Sequence, residues 1–131
     1  MTNFLCPHCR GHLRVYNSII FLTKTTKGKS ALLLLNPELG NYSIKMHPSY
    51  DHFNEGEVTN FICPICYENL DAEEFGENLA KIIMQEDDGK ESTIVFSKIH
   101  GEKCTYQITE KGVASFGKDK TEYESVFGDI F

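Results

Sequence analysis

Phe4-Leu5-Cys6-Pro7-His8-Cys9 and Phe61-Ile62-Cys63-Pro64-Ile65-Cys66 are two versions of one stretch, and their reading decides the fold. Leu13 and Leu70 follow at the same distance, so both obey F-[LI]-C-P-x-C-x-x-x-L at an offset of 63 − 6 = 57. Two residues between the cysteines let the chain turn tightly enough for both sulfurs to reach one ion. The turn also aims backbone N–H groups at the thiolates. Proline after the first cysteine presets φ for the first turn position. Two such knuckles supply four thiolates, the closed tetrahedral set of structural zinc, which leaves no position for a reactive water. Cys6, Cys9, Cys63 and Cys66 are therefore the expected ligands of one Zn²⁺. Iron is the second choice.

The paired knuckles resemble those of zinc ribbon proteins. They resemble the iron-binding knuckles of rubredoxins more distantly, because those usually carry Gly directly after the second cysteine, where this chain has Arg10 and Tyr67. The resemblance covers the knuckles and their immediate neighbours. It implies a metal and a hairpin-rich surround, and brings no substrate with it. Between the pairs lie 63 − 9 − 1 = 53 residues. Compact ribbons use roughly 15–20, so the insert must contain structure of its own.

The likeness between the halves continues beyond the knuckles. Ser18 to Thr26 is a β-prone run leading to Lys27-Gly28-Lys29, then the apolar run Ala31 to Leu35, a turn at Gly40, and Tyr42-Ser43-Ile44. In the second half Ala80 to Asp87 leads to Asp88-Gly89-Lys90, then Thr93 to Phe96, a turn at Gly101, and Tyr106-Gln107-Ile108. Gly28 matches Gly89, and Gly40 matches Gly101, at an offset of 61; the two Tyr-x-Ile motifs match at 106 − 42 = 64. Asp-Gly is a hairpin signal because Gly tolerates φ > 0. Ala31 to Leu35 suits a buried strand, and Ile94-Val95-Phe96 a strand buried on both faces, whereas Cys104 to Thr109 alternates like a half-buried one.

The expected fold is mostly β: two halves, each a zinc knuckle plus a three-strand β-meander, related by internal duplication and packed around one four-cysteine zinc site. The halves are 1–47 and 61–117, joined by a linker over 48–60 and followed by a C-terminal tail over 118–131. Each half alone is near the lower size limit for a self-sufficient core. Zinc shared between them acts as a folding ligand worth on the order of 10 kcal/mol. Helix is minor; Asp71 to Asn78 is the best candidate, with Asp71 as cap and Glu74 completing a box-like pattern. The acidic tail, with Tyr123, Phe127 and Phe131, reads as a strand covering the core or a peptide-like interaction tail.

Charge divides unevenly along the chain. Of 131 residues, 13 are basic and 19 acidic, for a net −6. The first 35 residues hold Arg10, Arg14, Lys24, Lys27 and Lys29 and no acid, so they carry +5 and the remainder −11. A generally basic nucleic-acid binder is disfavoured. The basic residues of the first half remain candidates for a partner's contacts, including phosphates, against the plainer reading of a solvated hairpin tip. Homo-oligomerisation through opposite charges is another possibility.

No run approaches a membrane span, and Met1 to Cys6 shows neither a basic start nor an apolar stretch. A cytoplasmic chain with reduced thiols is expected, so metal ligation outranks disulfides. Cys104 is expected to be a small buried hydrophobe. His8 and His12 flank the first knuckle as spare ligand types, His8 at an exposed tip. His47, Asp51 and His52 have the residue types of a hydrolytic metal site but no accompanying nucleophile, so an enzyme is not expected. The favoured reading is a non-enzymatic zinc-binding interaction or regulatory module with a protein partner. A nucleic-acid-associated ribbon and a thiol redox sensor that releases zinc on oxidation are the alternatives.

Overall fold

The computed structural model describes residues 2–45 and 55–127. His47, Asp51 and His52, most of the 48–60 linker, and the last four residues of the tail lie outside the described residues. Among these residues, ten strands and one short helix follow in order: β1 (Asn3–Leu5), β2 (Arg14–Val15), β3 (Ser18–Thr25), β4 (Ser30–Leu35), β5 (Ile44–Lys45), β6 (Thr59–Ile62), β7 (Leu79–Gln85), β8 (Glu91–Ser97), β9 (Thr105–Thr109), β10 (Gly112–Phe116) and α1 (Glu124–Phe127). They form two antiparallel sheets. One has the order β1-β7-β8-β9-β10; the other has the order β2-β3-β4-β5, with β6 also paired to β3.

The mostly β architecture and the two meanders, β3-β4-β5 and β7-β8-β9, match the sequence expectation. The strands leading into the knuckles do not stay with their own halves. β1, from the first half, pairs with β7, placing Leu5 opposite Ile83. β6, from the second, pairs with β3, placing Ile62 opposite Leu22. Each sheet is thus completed by a strand from the other half.

The correspondence is exact in register. Adding 57 to Leu5 and 61 to Leu22 converts one exchange into the other (Leu5↔Ile83, Ile62↔Leu22). Ile19↔Leu35 becomes Ala80↔Phe96 by adding 61 to both. The last meander strands also follow 61: Leu35↔Ile44 becomes Phe96↔Thr105. This corrects the Tyr-x-Ile alignment at 64: Tyr42 occupies the place of Lys103, and the similarity of the two motifs is not a structural one. Both hairpin glycines are left-handed, Gly28 at φ 86° and Gly89 at φ 87°, which is where glycine lacks the Cβ penalty.

The sheets face one another across a core holding Phe4, Leu13, Phe21, Leu33, Phe61, Leu70, Ile82 and Ile94, all buried. A second core covers the other face of the first sheet, with Leu79, Val95, Cys104, Tyr106 and Phe127. That sheet is therefore covered on both sides, as the unbroken run Ile94-Val95-Phe96 implied. β4 behaves differently from expectation. Ala31 and Leu33 are buried while Leu32 is 39% exposed, because only one face of its sheet is covered.

Three further corrections follow from tertiary contacts. Asp71 to Asn78 is not a helix. The Asp71 carboxylate accepts from Lys98 Nζ at 2.8 Å, so it does not cap. The Ala72 N–H donates instead to Leu79 O at 2.8 Å, while Ala72 O closes a single turn by accepting from Phe75 and Gly76. The described part of the tail, 118–127, is neither a strand nor a free peptide: α1 inserts Phe127, stacked on Tyr106 at 4.4 Å and Phe75 at 5.2 Å. Tyr106 Oη donates to Lys120 O at 2.7 Å and anchors the approach to it. Finally, β10 extends the second meander to a fourth strand, with no counterpart among the described residues of the first half.

Candidate metal centre

Leaving β1 and β6, the chain turns at each knuckle with the same bonds. Cys6 N donates to Gly11 O at 3.0 Å, and Cys63 N to Glu68 O at 3.0 Å. Arg10 N donates back to Cys6 O at 2.8 Å, and Tyr67 N to Cys63 O at 2.9 Å. The residue after each second cysteine is left-handed, Arg10 at φ 59° and Tyr67 at φ 62°. This is the position where rubredoxin-type knuckles place Gly, and here it is held by side chains that must accept the strain.

The strand exchange brings the knuckles together. All four Sγ atoms lie within 4.8 Å of one another. Cys6 Sγ is 3.8 Å from Cys66 Sγ, and Cys9 Sγ is 3.8 Å from Cys63 Sγ. The 57-residue correspondence interchanges these two contacts, so the midpoint of the cluster is the pseudo-twofold point between the halves. A tetrahedral ion with metal–sulfur bonds of about 2.3 Å has sulfur–sulfur edges of about 3.8 Å. The spacing is also far beyond a disulfide's roughly 2.0 Å bond, and all five cysteines are free. Among the described residues this is the one convergent group of His, Cys, Asp or Glu ligand atoms, and it can hold a metal ion.

The four thiols are not equivalent in environment. Cys6 and Cys63 are fully buried, Cys66 is half-buried and Cys9 is exposed. Burial pushes the metal-free Cys6 thiol up to about 12 and raises that of Cys63 as well. The Gly11 N–H, donating to Cys9 Sγ at 3.3 Å, holds the Cys9 thiol below its ordinary value. His8 N donates to Cys6 Sγ and Ile65 N to Cys63 Sγ, both at 3.3 Å. These matched donors are what a Cys-Pro-x-Cys turn provides to stabilise thiolate charge.

His8 does not join the cluster. Its Nε2 donates to Asn69 O of the other half at 2.9 Å, from an exposed position. His12 is exposed and its backbone bridges Leu5. Cys104 lies apart, buried beside Tyr106, as a small core residue, and burial pushes its thiol up to about 12.

Of the five basic candidates, Arg10 and Arg14 make contacts within the molecule that bear on the site. Arg10 forms an ion pair with Glu91 of the second half. Arg14 donates from Nε to Tyr16 O and from a terminal nitrogen to Thr2 O, both at 2.8 Å. Lys24, Lys27 and Lys29 are exposed around the β3–β4 tip. The local sequence could not reveal the cross-half contacts of Arg10 and His8, since Glu91 and Asn69 lie 81 and 61 residues away.

Fold and site together define an all-β protein of two strand-exchanged sheets with a four-cysteine cluster able to take a metal. The chain matches no protein-family model, no curated protein and no solved structure. No helix among the described residues is long and apolar enough to cross a membrane.

Proposed function

We propose that the protein is a non-enzymatic zinc-binding module in which one Zn²⁺ is structural, held by Cys6, Cys9, Cys63 and Cys66, and that the folded β scaffold serves as an interaction or regulatory unit. The observation that carries the reading is the origin of the ligands. Each half gives two thiolates from a strand that it has lent to the other half's sheet. An ion there closes the tetrahedron with protein sulfur alone, which is the arrangement of structural rather than catalytic zinc. Two thiolates from one knuckle bind weakly; four, preorganised by the exchange, couple binding to folding. The same reading makes the halves a duplication, since the strand registers of the first half reappear in the second.

The basic residues fit a protein partner better than a nucleic acid. Arg10 and Arg14 spend their donors internally, so Lys24 and Lys27 at the exposed β3–β4 tip are the cations a partner would meet. Elemental analysis of the native protein, combined with Cys63→Ser and a circular-dichroism folding readout, tests the proposal. One zinc per chain and loss of the folded signal in the variant are expected. A fully folded, zinc-free Cys63→Ser protein overturns the structural role.

A further inference from the structure

Between the two sheets lies a cavity of about 230 Å³. Its wall is mostly apolar. Phe21, Phe61 and Phe96 line it and pack on one another, with Phe61 edge-on to the other two at 5.3 and 5.0 Å. The equivalent turns at Gly40 and Gly101 stand on its rim.

One polar group in this wall is unexplained. Thr59, at the start of β6, is 4% exposed, and its Oγ1 has no hydrogen-bond partner. The other buried threonines are satisfied. Thr23 Oγ1 donates to Ala31 O at 2.9 Å. Thr25 Oγ1 accepts from Lys29 N at 3.1 Å. Thr105 Oγ1 shares a hydrogen bond with Tyr42 Oη at 2.9 Å. An orphaned buried hydroxyl in a native structure calls for a partner, and here it stands at an apolar cavity, the usual composition of a small-molecule site. Lys98, also in the wall, is neutralised by Asp71 at 2.8 Å, which argues against an anionic ligand. Size gives a further limit. An apolar cavity of about 150 Å³ holds benzene; in proportion, this one holds about nine non-hydrogen atoms.

We propose that the cavity binds a compact, neutral, largely apolar molecule, on the scale of a small alkylphenol, whose single hydroxyl group pairs with Thr59. The probe is 4-ethylphenol, with ethylbenzene as the analogue lacking the hydroxyl. Each is titrated into the isotopically labelled full chain as purified, and backbone amide shifts are followed. Saturable shifts around the cavity are expected, with 4-ethylphenol binding about fivefold more tightly than ethylbenzene, the worth of one ordinary hydrogen bond. Thr59→Val keeps the side-chain shape and removes the hydroxyl, so it should abolish that preference while ethylbenzene binding stays within about twofold. Leu35→Phe, which adds volume at the cavity wall, should weaken both probes in a protein that remains folded. Absence of saturable shifts in the folded wild-type chain overturns the proposal. So does a preference for 4-ethylphenol that survives Thr59→Val, or binding of both probes undiminished in folded Leu35→Phe protein.

Discussion

Removing Asp71 should cost this protein more than removing its partner Lys98, although both changes delete the same ion pair. The Lys98 side chain is 5% exposed and that of Asp71 27%, with Nζ 2.8 Å from Oδ1. At that distance the Coulomb attraction in a medium of effective dielectric about 20 has an upper bound of about 6 kcal/mol. Much of this is offset by the cost of bringing the charges out of water. Asp71→Ala leaves a buried ammonium without its carboxylate, a change that typically costs about 3–5 kcal/mol. Water can enter through the space the carboxylate vacates, so the lower end, about 3 kcal/mol, applies. Lys98→Met keeps the packed stem and leaves a carboxylate that water already reaches, so about 1 kcal/mol is expected. The double variant should lose about 1–2 kcal/mol, a coupling of about 2–3 kcal/mol between the sites. Urea unfolding followed by far-ultraviolet circular dichroism suits a chain without tryptophan. A loss of about 3 kcal/mol is a large part of the roughly 5–15 kcal/mol that holds a domain together, so the midpoint shift is easily read. Equal losses for the two single variants, or strict additivity in the double, refute the reasoning.

Other consequences are as direct. Gly117 has φ 98°, and a Cβ there would run into the Lys103 carbonyl oxygen and the Tyr42 hydroxyl; Gly89, at φ 87°, has open space around it. In equilibrium unfolding Gly117→Ala should therefore lose well over the roughly 1–2 kcal/mol that left-handed strain alone costs Gly89→Ala. Phe127→Ala, which empties the stack on Tyr106 and Phe75, should lose about 3–5 kcal/mol, measured as a lower urea midpoint. Cys104 and Tyr106 each titrate near 12 in the folded chain, raised by burial from ordinary values of 9.0 and 10.0. The unfolded chain releases these protons first, so their stabilisation is intact below about pH 9 and is lost as pH rises toward about 12. The alkaline fall in the unfolding midpoint should be shallower in Cys104→Ala, and an unchanged slope would remove Cys104 from this role.

The readable parts of the sequence were those that short-range geometry decides. Cysteine spacing placed the knuckles, and Gly28 and Gly89 placed the hairpin tips, because a tight turn needs particular residues at particular positions. Pairing partners were a different matter. A period-2 pattern says which face of β1 is buried but does not say that its neighbour is β7, some 80 residues on. The Asp71 to Asn78 segment failed for a related reason. Its capping pattern was real, but a distant ammonium took the carboxylate and Leu79 took the first N–H. The tyrosines at 42 and 106 matched in type only. Tyr42 reaches across to Thr105 and the Phe116 carbonyl, whereas Tyr106 anchors the segment before α1. β10 was hidden inside a region that the repeat accounted for with three strands, although Gly112 and Gly117 bracket it.

The exchange of β1 and β6 sets an order on how the chain can be finished as it is made. When residue 45 has emerged, β3 and β4 can pair, but the edge of β3 that will receive Leu22↔Ile62 stands open. β1, meanwhile, has only its local pairing with His12 and Leu13 until residues 83–85 of β7 appear. Neither vacancy closes locally, so closure waits on contacts of long sequence separation, the kind that slow folding. Until then a nascent chain displays one unfilled strand slot and one half-paired strand, and the β6 of a neighbouring copy fits that slot as well as its own.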